Sequence, residues 1–278
     1  LAAEFYNRLD RLAPDHPAVL VRLAGLAHLN GDQEQAIALA ELAYSVATGS
    51  GETSNALAFY PLLLSDLLLD AGRYDQALEQ AEAGIEHSPT GIAYASLGRA
   101  LAHSGRFADA IAAYEQALAL QDDPGWNVAI GDLLTATGES EKAADHYESA
   151  IEVLVDADEA ATGQSLAAIY SDLDINAEQA LGLAERDLAR RQSIDAYDTL
   201  AWALYRNGRI EEAREAIDIA RATGAQDAPL IYHSAVIAAA QGDQPHAIAE
   251  LNELLDRNPG FHPLHSRHAA ELLVSLVG

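Results

Sequence analysis

Residues 105–110 read GRFADA: a glycine, a charged residue directly after it, and an alanine five positions after the glycine. The same signal returns along the chain, with Arg, Asp or Glu as the charged residue. Its glycines are Gly31, Gly72, Gly105, Gly138, Gly208 and Gly242. They are 41, 33, 33, 70 and 34 residues apart, and the interval of 70 is close to two periods. A period near 34 residues indicates stacked helix–turn–helix units.

Each part of this signal has a structural reason. A glycine at the end of a helix permits the positive φ that helix C-termini often adopt. The alanine is expected where the two helices of a unit approach most closely, because a larger side chain would push them apart. Between Gly138 and Gly208 we predict a weaker copy at residues 162–191. There residues 170–176, YSDLDIN, replace the glycine turn, and the alanine, Ala180, falls one residue late.

These units predict an all-α fold, a solenoid of stacked antiparallel helix pairs, forming a single domain over residues 1–278. Repeats are predicted to begin near residues 17, 58, 91, 124, 160, 194 and 228. Residues 1–14 are predicted to be the second helix of a truncated leading repeat, and residues 261–278 a capping helix. Because of this half repeat and the absence of methionine, we expect the chain to be a fragment or a processed form.

The net charge is −27, from 43 acidic residues against 16 lysine and arginine residues. Nucleic-acid binding needs a basic surface, which this composition does not supply, so we predict no nucleic-acid partner. The acids are spread along the chain, and lysine occurs once, at Lys142. We interpret the acidity as salt adaptation. The alternative is an acidic groove that recognises basic partners.

The sequence also lacks the features that several functions require. It contains no cysteine, which excludes disulfides and thiol catalysis. No apolar run approaches the length of a membrane span, and both cytoplasm and periplasm are compatible with the composition. Phosphate-binding loops and hydrolase motifs are missing, since the stretch GSG at residues 49–51 lacks the lysine and the spacing that a phosphate loop needs. We therefore predict a non-enzymatic protein without a cofactor.

A family resemblance rests on the best two copies of the repeat. Residues 94–101 read YASLGRAL, and they are followed by Gly105, Ala110, Tyr114 and Ala117. The next copy has Gly131, Gly138, Ala143, Tyr147 and Ala150, and closing prolines stand at Pro89, Pro124 and Pro259. This pattern resembles the tetratricopeptide repeat over essentially the whole chain, although the tryptophan of the family pattern is absent. Residues 196–209, 230–238 and 258–263 are similar to the C-terminal end of a group of bacterial tetratricopeptide proteins.

The resemblance implies that the stacked pairs form a right-handed superhelical solenoid. It also implies a scaffold that binds a peptide or a helix of a partner protein, since the first helices of such repeats line a concave face. Aromatic and arginine side chains are typical of binding hot spots. The candidate residues for a concave peptide-binding patch are Arg99, Asp198, Trp202, Tyr205, Arg206, Tyr232 and His233. The alternative interpretation is that Trp202 packs between helices and Tyr205 covers the edge of the core.

One binding mode of the family is not expected here. Its carboxylate clamp needs lysine, arginine and asparagine on successive inner helices. The matching positions hold Val21, Leu62, Ala95 and Val128. The resemblance therefore does not imply recognition of acidic C-terminal tails.

A histidine run near the C-terminus has a spacing that occurs among metal ligands. His262, His265, His268 and Glu271 follow each other at intervals of three residues. Each such step rotates about 60° around a helix, so the four side chains cannot converge on one ion. We predict solvated histidines on a terminal helix and no metal site within this run.

Two other functions stay open at the level of sequence. The chain would serve as the tetratricopeptide regulatory region of a larger enzyme or transcription regulator if it is a fragment. It would be a self-assembling scaffold if its repeats stack end to end between copies. The sequence does not separate these alternatives from a binding scaffold.

Overall fold

The structure is a computed structural model that describes residues 15–278, and the predicted helix at residues 1–14 lies outside the described residues. In chain order the helices are α1 (Pro17–Leu29), α2 (Gln33–Gly49), α3 (Ser54–Leu57), α4 (Phe59–Asp70), α5 (Tyr74–His87), α6 (Gly91–His103), α7 (Phe107–Leu120), α8 (Pro124–Thr137), α9 (Ser140–Asp156), α10 (Glu159–Asp172), α11 (Ala177–Arg190), α12 (Ile194–Arg206), α13 (Ile210–Arg221), α14 (Ala228–Gln241), α15 (Gln244–Arg257) and α16 (His265–Val277). Over these residues no strand occurs.

The helices form pairs. The first helices of the pairs are α1, α4, α6, α8, α10, α12 and α14, and each packs mainly on the second helix that follows it. Weaker contacts join successive pairs from α1 to α7 and from α8 to α15. Helix α3 lies between the first two pairs, and α16 follows the last pair. The prediction of an all-α stack of helix pairs is confirmed.

The chain divides into two compact units. The first unit contains the described residues up to Asp122, together with the short segments Thr223–Gln226 and Gly260–His262. The second unit contains Asp123–Ala222, Asp227–Pro259 and Pro263–Gly278. Helices α1 to α7 therefore belong to the first unit, and α8 to α16 belong to the second. In the part of the chain that the structure describes, no helix has the length and apolar character needed to cross a membrane.

The turns within the pairs adopt the backbone conformation that the glycine period predicts. All six signal glycines have positive φ, between 71° at Gly72 and 90° at Gly242. The pair α10–α11 has no glycine at its turn. There Asp174 and Asn176 take positive φ values of 53° and 50°. Aspartate and asparagine tolerate this region better than other residues with a side chain, so the weak copy keeps the turn without glycine.

The signal alanines lie in the interface between paired helices. All of them, Ala180 included, are at most 2% exposed: Ala36, Ala77, Ala110, Ala143, Ala180, Ala213 and Ala247. Larger side chains fill the same interfaces next to glycines. A Cβ atom built on Gly131 would lie 2.5 Å from the ring of Tyr147, and one on Gly98 would lie 2.9 Å from the ring of Tyr114. Helix separation in these pairs is therefore set by the absence of side-chain atoms at particular positions.

We expect Gly131→Ala to lower the free energy of unfolding by about 1–3 kcal/mol, because the added methyl group overlaps the Tyr147 ring. The matched control is Gly25→Ala on α1, where a Cβ atom meets no other atom within 4 Å. That substitution should raise the free energy of unfolding by about 0.5–1 kcal/mol, because alanine favours helix over glycine. Urea unfolding followed by circular dichroism measures both. Stabilisation by both substitutions would contradict the close approach at Gly131.

Candidate functional site

The candidate residues fall on two helices of the second unit and one of the first. Asp198, Trp202, Tyr205 and Arg206 lie on α12, while Tyr232 and His233 lie on α14. The structure brings these six side chains together. Arg99 lies on α6 in the first unit and forms an ion pair with Asp66, at 3.2 Å between Arg99 Nη2 and Asp66 Oδ1.

Helix α12 presents three of the candidate residues on one face. Its N-terminus is capped by Ser193, whose side chain accepts a hydrogen bond from the Ala196 amide. The rings of Trp202 and Tyr205 are stacked, with centroids 4.9 Å apart and planes 12° apart. The guanidinium carbon of Arg206 lies 4.7 Å from the centre of the Trp202 ring. Spacings of three and four residues place these side chains next to each other, as the sequence predicts.

Helix α14 contributes to the same stack from the next pair. The imidazole of His233 lies on the Trp202 ring at a centroid distance of 4.2 Å and an angle of 17°. Its Nδ1 atom is hydrogen-bonded to Asp198 Oδ1 at 2.9 Å. Tyr232 is tilted against Trp202, with ring centroids 6.0 Å apart. Two successive first helices are thus joined by a stack of aromatic rings and one carboxylate–imidazole pair.

Burial divides the patch into a covered part and an accessible part. Trp202 and Tyr232 are each 3% exposed, and His233 is 8% exposed. Trp202 therefore packs between helices, which is the alternative that the sequence left open. Tyr205, Arg206 and Asp198 are partly exposed, with 23% exposure for the Arg206 side chain and 17% for Asp198. Asp198, Tyr205 and Arg206 form the accessible edge of the patch, and the buried rings pack beneath it.

Two residues outside the predicted set belong to the cluster. Asp172, the last residue of α10, accepts a hydrogen bond from Trp202 Nε1 at 2.9 Å. His265, the first residue of α16, has its Nε2 atom 3.8 Å from Asp172 Oδ1. The ring of His265 also stacks on Tyr232, at a centroid distance of 4.6 Å. Neither residue belongs to the set predicted from the sequence: His265 lies in the histidine run, and Asp172 lies in the stretch that replaces the turn glycine.

The histidines of α16 face different neighbours. His265 lies beside Asp172, whereas His268 Nδ1 is hydrogen-bonded to the Tyr232 hydroxyl at 2.7 Å. Glu271 forms an ion pair on its own helix with Arg267, at 3.7 Å. The spread around the helix that the spacing predicts is visible in these separate contacts. Only His265 among these three lies next to Asp172 and His233.

Electrostatics in the cluster favour positive charge on the imidazole. Burial lowers the pKa of His233, but the carboxylates of Asp198 and Asp172 outweigh burial, and the net pKa is raised. Arg206 acts in the opposite direction on the same group. Burial also raises the pKa of the Tyr232 hydroxyl, which stays neutral in the folded protein.

The first unit contains a separate pocket of about 480 Å³, which sequence analysis did not predict. Its walls come from α2, α4 and α5 and include Glu41, Tyr44, Leu64, Leu68 and Glu79. Two carboxylates beside apolar side chains suit a basic or hydrogen-bond-donating group. Compared with the cluster in the second unit, the pocket has fewer aromatic rings and no arginine among its lining residues.

Comparisons with known proteins agree with the repeat architecture. Residues 62–125, 104–162 and 199–260 match the family model described as Tetratricopeptide repeat, and together these ranges cover more than half of the chain. A search of curated protein sequences found no match.

Several solved structures are similar in fold. A tetratricopeptide repeat protein from Parabacteroides merdae is 16% identical, with a TM-score of 0.42, covering 80% of this chain and 99% of that one. PilF of Pseudomonas aeruginosa is 19% identical, with a TM-score of 0.41 and coverages of 77% and 96%. A chain of the APC/C hetero-tetramer Cut9–Hcn1 is 17% identical, with a TM-score of 0.48 and coverages of 94% and 55%. We take no function from these proteins, given their low identities and scores.

We expect Trp202→Ala to lower the free energy of unfolding by about 3–5 kcal/mol, because the substitution empties a buried ring site. The matched control is Trp126→Ala on α8, which removes the other tryptophan from a partly exposed position and should cost less. Urea unfolding of the two variants and the wild type gives the comparison. Equal losses would show that Trp202 is not the buried centre of the stack.

Proposed function

Since the chain belongs to the tetratricopeptide repeat family, we propose that it is a non-enzymatic scaffold for a partner protein. It binds a peptide or a helix of that partner on the first helices of its second unit. Repeats of this family form protein-interaction scaffolds. The proposal adds a place on the surface and the side chains that meet the partner.

The observation that carries the proposal is the partly exposed edge of the aromatic stack. Tyr205 and Arg206 belong to the residue types that dominate binding hot spots. Both are held before any partner arrives, since Tyr205 stacks on Trp202 and Arg206 lies over the same ring. Arg206 Nη2 also donates a hydrogen bond to the backbone oxygen of Asp172, at 3.4 Å. Side chains fixed in this way lose little conformational entropy on binding.

The charges around this edge indicate the chemistry of the partner. Asp172 and Asp174 flank Arg206, and their side chains are 41% and 67% exposed. The chain as a whole carries a charge of −27. A segment with an aromatic or aliphatic anchor against Tyr205 and a basic residue beside these aspartates fits the edge. Such binding should weaken as salt concentration rises, because exposed charges are screened.

A direct test uses peptides selected from a random phage-displayed library on the immobilised wild-type chain. We expect the double variant Tyr205→Ser/Arg206→Ser to bind the selected peptides about tenfold more weakly or worse, as measured by fluorescence anisotropy. These positions are partly exposed, so the variant should keep the wild-type circular dichroism spectrum.

The matched control is the double variant Tyr94→Ser/Arg106→Ser, which removes the same two residue types from the first unit. It should bind the peptides as the wild type does. Equal affinity of the wild type and the Tyr205/Arg206 variant would overturn the proposed site. A loss confined to the Tyr94/Arg106 variant would move the binding surface to the first unit.

A further inference from the structure

We propose that Asp172, His233 and His265 form a zinc-binding site in the second unit. A carboxylate oxygen of Asp172 and one ring nitrogen of each histidine all lie within 4.8 Å of one another. The three residues come from α10, α14 and α16, so the site is assembled by the fold and not by one helix. This inference does not depend on the proposed peptide binding.

The distances suit a metal ion after small side-chain rotations. Zinc binds histidine nitrogen and carboxylate oxygen at about 2.0–2.2 Å, which places two ligand atoms of a tetrahedral site about 3.4 Å apart. His265 Nε2 and Asp172 Oδ1 are 3.8 Å apart. Both residues lie at helix ends, since Asp172 is the last residue of α10 and His265 is the first residue of α16. Rotations of these two side chains would bring the three ligand atoms, which lie within 4.8 Å of one another, to that spacing.

His233 supplies the observation that points to a ligand. The residue is 8% exposed, and its Nδ1 atom is hydrogen-bonded to Asp198. Its Nε2 atom is buried and has no hydrogen-bond partner among residues 15–278. An unsatisfied buried polar atom destabilises a folded protein. A carboxylate that holds one ring nitrogen of histidine fixes the tautomer in which the other nitrogen can bind a metal. A zinc ion on Nε2 would satisfy this atom.

The other two ligands are also held by neighbours. Trp202 Nε1 donates a hydrogen bond to Asp172 Oδ1 at 2.9 Å, which orients the carboxylate. Tyr232 stacks on His265 with planes 13° apart, which orients the imidazole. Partners of this kind around the ligands commonly tune metal affinity. These contacts thus give the ligand side chains limited freedom before an ion binds.

The charges near the site favour a cation. The carboxylate of Asp198 is hydrogen-bonded to Nδ1 of His233, and a carboxylate oxygen of Asp172 lies within 4.8 Å of a ring nitrogen of the same histidine. Arg206 is the opposing positive charge, and its Nη1 atom is 3.9 Å from Asp174 Oδ2. The negatively charged side chains near the site therefore outnumber the positively charged ones. Any cation entering through the exposed Asp172 side meets a net negative surface.

The ligand set selects the type of metal. Two imidazoles and one carboxylate suit zinc, whereas calcium and magnesium prefer oxygen ligands throughout. Three protein ligands leave a fourth position for water or for a side chain of a partner. Since the sequence has no cysteine, the site cannot be the closed thiolate type of structural zinc site.

The first measurement uses the full chain, from which a chelator has removed any bound metal. Zinc is titrated into this protein in high salt and excess magnesium. These additions suppress weak binding to the many surface carboxylates. Isothermal titration calorimetry should show one zinc ion per chain. The cobalt-loaded protein should show the strong visible absorption of a tetrahedral site.

Ligand variants locate the ion. Asp172→Asn and His265→Gln are at helix ends and are expected to fold, which circular dichroism checks. Each should weaken zinc binding by about 100-fold or more, and Asp198→Asn should weaken it by about 10- to 100-fold through the orientation of His233. The matched control is His246→Gln, which removes a surface histidine whose Nε2 atom is 3.3 Å from Glu250 Oε2. It should leave zinc affinity unchanged.

Tryptophan fluorescence gives an independent readout of metal binding beside the ligands. In a Trp126→Phe background, Trp202 is the single tryptophan, and its indole contacts both Asp172 and His233. One equivalent of cobalt should quench its emission. Stoichiometric binding with this quenching, abolished by Asp172→Asn, supports the site. Binding without saturation, or binding that only His246→Gln weakens, overturns it.

Discussion

The close approach of the two helices in each pair is the constraint on which the rest of the structure depends. Seven alanines between the helices are almost completely buried, and at Gly131 even one methyl group would overlap a tyrosine ring. First helices of successive pairs also contact each other between α10 and α12 and between α12 and α14. The aromatic stack of Trp202 and His233 spans α12 and α14, so its position depends on how each of these helices packs within its own pair.

The sequence predicted the fold through features that are local in the chain. A turn glycine and an alanine five positions later report on backbone conformation and helix contact, and both are determined within one unit. The turn at Asn176 shows how far this logic extends, because asparagine and aspartate there take positive φ where glycine is missing. The division into two units was not visible in the sequence, since it depends on contacts between segments that are distant along the chain.

The sequence predicted which side chains of the candidate site share a helix face, but it did not predict which of them are buried. Helical spacing placed Trp202, Tyr205 and Arg206 on one face, and the structure brings them together. Spacing could not show that the next pair covers Trp202, which leaves Tyr205 and Arg206 at the accessible edge. Asp172 and His265 were missed because they stand at opposite ends of different helices. Reading the histidines along one helix excluded a shared ion there, but it could not reveal neighbours from other helices.

The pairing of helices with their neighbours also has a kinetic consequence. The main contacts of each helix are with helices adjacent in the chain, so loops that must close before a contact forms are short. Chains dominated by such local contacts fold quickly, and folding can begin at several pairs and spread outward. The aromatic stack joins α12 to α14, and its contacts with α10 and α16 require further pairs to be in place. It is therefore expected to assemble after the individual helix pairs have formed.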